Sequence, residues 1–205
     1  METIIQIKQE KLQELYKTLT NYPIISKEQV IHEMHKAFGE KAFRPQDVRE
    51  RVKTFEDAIE ELGKEHPLVL HYSFNFNEEG SWNDDGYVND LEAYLKLRII
   101  CAALNEGWEP KFTKNEERWY PWFWFLTQDE INEMKEEEKT KRQLRMIAGE
   151  FRTEFAGLVS AHSNAAPSHS ATYLGSRLCF QNEALAKYAG TQFIDIWKDF
   201  LLIRK

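Results

Sequence analysis

Residues Trp119 to Leu126 read Trp-Tyr-Pro-Trp-Phe-Trp-Phe-Leu, and no other stretch narrows the choice of fold so far. Neighbouring side chains of a strand point to opposite faces, so a strand made of these residues is apolar on both. That is the pattern of a strand covered on each side. Pro121 has no amide hydrogen to give to a ladder, which puts it at the first ladder position or on an edge. A chain containing such a strand must supply other elements to cover it.

The rest of the chain supplies helices. In residues 2–20, Ile4, Ile5, Leu12, Leu15 and Leu19 fall near one stripe. Ser26 is placed to cap a helix over 27–38, with Val30, Ile31, Met34 and Phe38 on one side and Gly39 at its end. Thr54 opens a capping-box pattern for a helix that stops at Gly63. Leu68 to Phe74 has strand composition, and 75–89 is a polar, turn-prone loop. Asn89 and Asp90 offer caps to a helix over 91–104, whose apolar run from Ile99 to Leu104 predicts deep burial and which Gly107 closes. Thr127 and Glu130 form a further capping box for a solvated helix over 128–145, with Glu137–Lys141 and Glu138–Arg142 at pairing distance. From Glu154 the chain reads as extended through Ser160, with a turn at Asn164 to Pro167 and a return from Tyr173 to Phe180. Asn182 caps a last helix in which Leu185, Ala189, Phe193, Ile196, Trp197 and Phe200 form a stripe. The fold class expected is α+β: N-terminal helices, a small, mostly antiparallel sheet, and a packed C-terminal helix. The expected division is a helical part over 1–64 and an α+β domain over 65–205, with an exposed hairpin at 155–180 and a terminal helix at 182–202.

Length and charge limit the function. With 205 residues, 42% of them hydrophobic, the chain can build a substantial core in one domain with a small extension. A net charge of -7 disfavours an extended grip on nucleic-acid backbones. Cys101 and Cys179 sit in apolar surroundings and are expected as buried free thiols in a reducing compartment. No signal-peptide pattern is visible at the start, and no run reaches the roughly 20 apolar residues of a membrane span. A place inside a cell or in a particle is expected, with no membrane partner.

Few motifs carry chemistry. There is no Gly-x-Ser-x-Gly elbow, phosphate-cradling glycine loop or kinase signature, so no catalytic residue and no cofactor is assigned. His32 and His35 lack the spacing of a zinc-protease helix, and the loop from Asn75 has Gly86 where a calcium loop needs its last carboxylate. No metal is expected. Trp108, Trp119, Trp122 and Trp124, with Lys111, Lys114 and Arg118 nearby, could stack bases, although rings of this size more often fill a core. The stretch from Ala156 to Phe180 is nearly free of charge and rich in Ser, His, Asn and Ala. Such residues make adaptable hydrogen bonds in binding loops, and Lys and Glu, which normally cover exposed strands, are missing.

Four blocks, TFEDAIEELG (54–63), AYLKLRIICAALNEGWEPKF (93–112), YPWFWFLTQDEI (120–131) and YLGSRLCFQNEALAKYAGTQFIDIWKDFL (173–201), resemble an uncharacterised protein family of Bacteroides-type phages and prophages. That resemblance implies a phage-encoded protein of the host cytoplasm or the virion and brings no catalytic residues with it. Locally, AGLVSAHSNAAPSHSATYLGSRL is similar to the terminal hairpin of formylglycine-type C-type-lectin domains. This implies a turn at Gly175-Ser176-Arg177 and display positions at Ser160, His162, Asn164, Ser168, His169, Ser170 and Tyr173, beside Arg177. The function expected first is therefore a non-enzymatic interaction protein that holds a protein or surface ligand on this hairpin. The alternative is a nucleotide or single-stranded nucleic-acid binder working through exposed tryptophans. An enzyme whose groups converge only in space is a third.

Overall fold

The structure is a computed structural model that describes residues 8–22, 24–76, 89–111, 113, 115–146, 155–167 and 175–202. The chain divides into two compact units, Met1–Gln46 and Asp47–Lys205.

The first unit pairs two helices, α1 (Gln9–Thr20) and α2 (Lys27–Phe38), and ends in a 3-10 turn, Glu40–Phe43. Ser26 caps α2 as expected, and its bond is reciprocated: its hydroxyl accepts from the Gln29 amide while the Gln29 side chain accepts from the Ser26 amide. Leu15 is the buried residue of α1. The ring of Phe43 lies 5.4 Å from His35 and 6.1 Å from Phe38.

The second unit is α+β. It opens with three short helices, α3 (Val48–Arg51), α4 (Phe55–Leu62) and α5 (Pro67–Asn75), followed by the long α6 (Asn89–Leu104). Thr54 and Asp57 cap α4 reciprocally, and Gly63 ends it. α5 corrects the strand expected at 68–74. Pro67 presets the backbone angle of a first helical turn, and the His66 ring nitrogen accepts from the Leu68 amide at 3.3 Å. Leu68, Val69 and Tyr72 turn inward at three- and four-residue spacing, while Leu70 and Phe74 stay exposed. Apolar residues on both sides hid that period. The burial expected of α6 is present: Leu97, Ile99, Ile100 and Leu104 have no exposed surface. Each such side chain contributes about 1.5–3 kcal/mol by leaving water.

The sheet has three strands in the order β1–β3–β2, both pairings antiparallel. β1 (Glu117–Thr127) contains the aromatic run, and Pro121 lies on this edge strand opposite Ser163, one of the two placements expected. Its cover is incomplete, since Trp124 is 53% and Phe125 40% exposed. A capping box at Thr127 starts α7 (Gln128–Glu133). The single helix expected over 128–145 is two, α7 and α8 (Glu136–Lys141), because Met134 leaves the helical path to pack against Leu126, Ile131, Ala156 and Val159. β2 (Arg145–Met146) follows, tied to the C-terminal region by Arg145–Asp195 at 2.6 Å.

β3 (Phe155–Pro167) is the charge-poor stretch, and its position differs from the exposed hairpin expected there. It is the central strand, with hydrogen-bonded neighbours on both sides, and Ala156, Leu158 and Val159 are fully buried. Asn164 to Pro167, expected as a turn, continue the strand opposite Tyr120 to Glu117. The expected return at 173–180 begins outside the described residues. Within them it is a 3-10 turn, Ser176–Leu178, followed by Phe180 bridging to Trp119. The last helix is broken into α9 (Glu183–Gln192), capped by Asn182 as expected, and α10 (Ile194–Leu201). Phe193 leaves helical geometry at the break while its ring stays buried, and the Ala189 carbonyl accepts the Trp197 indole N–H at 3.2 Å.

Candidate functional site

One face of α6 carries Arg98, Cys101 and Ala102, and Asn105 continues it in the first residue past the helix, at spacings of three, four and seven from Arg98. This face forms a wall of a recess of about 490 Å³. Beyond α6, Gly107 adopts φ +84, a backbone conformation that glycine enters freely, and sends the chain back along the recess through Trp108, Glu109 and Pro110. The opposite wall is the 3-10 turn that follows Gly175, itself at φ +79, and it brings Ser176, Arg177 and Cys179. Leu68 of α5 closes the apolar side.

Asn105 holds the two walls together. Its amide donates to the Cys179 carbonyl at 2.8 Å, and its oxygen accepts from the Gln181 amide at 3.0 Å. The first bond is buried and the second partly so, and an unmade partner in the interior is costly. Arg51 braces the end of α6 from outside, pairing with Glu61 at 3.1 Å and with Glu106. Behind the turn the buried Arg118 donates to the Ser176 hydroxyl oxygen, which leaves that hydroxyl's own proton free to point elsewhere.

The recess has positive charge that the protein itself does not neutralise by contact. Among the described residues neither Arg98 nor Arg177 meets a carboxylate, and Glu109 is the one acidic side chain in the lining. Burial pushes the Cys101 thiol well above its usual range and the Cys179 thiol up to about 11. Both stay protonated at neutral pH, so the floor of the recess is neutral and offers no thiolate nucleophile. Both cysteines are free, as expected. Among the described residues no cluster of three His, Cys, Asp or Glu side chains is placed to hold a metal ion, and no helix is long and apolar enough to cross a membrane.

Comparison with protein-family models, curated proteins and solved structures finds no match.

The residues singled out in the sequence are dispersed by the fold. Arg177 and Trp108, drawn from the two competing readings, meet at the recess. Ser160 is half-buried in β3 opposite Phe123, and its amide donates to the Arg142 carbonyl. His162 and Asn164 lie in β3 opposite Trp122 and Tyr120. Ser168, His169, Ser170 and Tyr173 lie outside the described residues. Trp119 and Trp122 are half-buried along β1, and Trp124 is exposed on it, so these rings do not share a site with Trp108. Sequence reasoning missed Arg98, Asn105, Glu109 and Ser176. Arg98 had a signal, a lone charge at the border of the all-apolar run of α6; Asn105 had none, because its partner carbonyl lies 74 residues away.

Proposed function

We propose that the protein is a non-enzymatic binding protein that holds a small anion in the recess between α6, residues 108–110 and the turn 176–178. The observation that carries this reading is that Arg98 and Arg177 open onto one recess without a carboxylate contact among the described residues. A bound anion would supply the two arginines with the pairing that the described residues do not. The recess residues Arg98 to Pro110 and Ser176 to Cys179 belong to two of the four blocks that carry the phage-family resemblance. This supports a phage-encoded protein acting in the host cytoplasm or carried in the virion. The test is thermal unfolding of the full chain with inorganic pyrophosphate. A ligand at a hundred times its Kd stabilises by about 2.7 kcal/mol, and this gain should disappear in Arg98→Gln with Arg177→Gln. No stabilisation by any small anion removes the reading.

A second reading places a partner protein on the sheet. It is supported by Trp124 at 53% exposure and Phe125 beside it, next to the charge-poor strand that carries Ser160. Exposed aromatics of this kind are common binding anchors. Trp124→Glu should then abolish capture of a specific partner from phage-infected cells without changing stability, and unchanged capture removes it. A single-stranded nucleic acid is disfavoured by the net charge.

A further inference from the structure

The recess is too large for the anion alone. Small-molecule sites are typically 300–1,000 Å³, and about 490 Å³ falls within that range. An inorganic anion takes the room of only a few waters, each roughly 30 Å³ in the liquid, and would leave most of the space to solvent. The lining also divides by chemistry. Arg98, Arg177 and Ser176 supply charge and a hydroxyl; Trp108, Pro110 and Leu68 supply flat or apolar surface. An occupant that satisfies both has a phosphate at one end and a planar heteroaromatic ring at the other.

We infer that the recess binds a free nucleoside phosphate, with its base against the Trp108 indole and its phosphate between Arg98 and Arg177. This inference rests on the recess being the anion site. The Ser176 hydroxyl, its oxygen already engaged by Arg118, gives its proton to a phosphate oxygen. Indole faces accept any base, so the stacking half sets the class of ligand rather than its identity. The two arginines against Glu109 leave one net positive charge in the lining, which suits a short phosphate and not a long polyanion. The chain's charge of -7 opposes a strand continuing over the surface.

The experiment is calorimetry on the full chain with adenosine, adenosine 5′-monophosphate and the other 5′-mononucleotides, inorganic pyrophosphate, and a ten-residue oligonucleotide. At least one mononucleotide should bind tenfold or more tighter than pyrophosphate and than its own nucleoside. Trp108→Leu should weaken that mononucleotide about ten- to a hundredfold and leave pyrophosphate unchanged. Trp108→Phe, which keeps a ring, should retain most of the affinity while losing the indole quenching seen in the wild type; this arm decides the matter if Trp108→Leu does not fold. Pyrophosphate bound as tightly as every nucleotide, with no effect of residue 108, overturns the nucleotide inference and leaves the anion site standing. Tighter binding of the oligonucleotide, falling steeply with salt, overturns it in favour of a strand. Failure of every anion in folded wild-type protein removes the anion site and this inference together.

Discussion

At residue scale Asn105 joins the end of α6 to the segment after the 3-10 turn through a donor and an acceptor at once. Asn105→Ala leaves the buried Cys179 carbonyl and the part-buried Gln181 amide without partners, and a fully buried group so orphaned costs about 1–3 kcal/mol. The expected loss is about 2–4 kcal/mol in urea unfolding, with weaker binding in the recess, and an unchanged midpoint would show that water replaces both bonds. From the sequence Asn105 reads only as the polar residue after an apolar helix, because its partners lie more than seventy positions away. The cysteines set a pH response. Burial raises the Cys179 thiol from its usual 9.0 to about 11 and pushes the Cys101 thiol well up in the same direction. Above pH 9 the unfolded chain loses thiol protons that the folded chain keeps, so stability is whole below that pH and falls as pH rises toward 11. Denaturation midpoints at pH 8 and pH 10 check this: the decline should be shallower in Cys101→Ala with Cys179→Ala, and an equal decline would place its cause elsewhere.

At the scale of elements, local signals with a stereochemical basis held. The caps at Ser26, Thr54, Thr127 and Asn182 each start a helix where expected, because a side-chain oxygen meets an amide within three residues and needs no distant partner. Composition without period failed at α5, where apolar residues on both faces gave no repeat to choose helix from strand, and the proline and histidine at its start decided it. Packing divided the two long helices, at Met134 and at Phe193, since each residue gains more by burying its side chain than by continuing the helix. β2 shows how tight such packing is. A Cβ on Gly157 would stand 2.7 Å from the Arg145 carbonyl oxygen, a backbone atom that cannot swing aside. Gly157→Ala should therefore cost about 1–3 kcal/mol and weaken the β2–β3 pairing, read as faster amide exchange at Arg145 and Met146. Unchanged exchange there would mean that the β2–β3 ladder takes in the methyl group without weakening.

At the scale of the whole molecule, all three apolar clusters found among the described residues belong to the unit Asp47–Lys205. A fragment 47–205 should unfold in one cooperative step with the near-ultraviolet signal of a packed Trp197, and it should keep the affinity of the recess for its ligand. A fragment without fixed tertiary structure would show that the first unit is required for folding. The sequence by itself determined that the chain is α+β, that α6 is deep in the core, that the thiols are buried and free, and where four helices begin. Each of these follows from local period, capping chemistry or a run too apolar to meet water. Only the tertiary structure decided that the charge-poor stretch becomes a central strand, that Trp124 remains open, and that Trp108 and Arg177 face one recess with Arg98. Which strand lies between which, and which side chains converge, depends on contacts between residues distant in the chain, and a pattern read along the chain has no access to them.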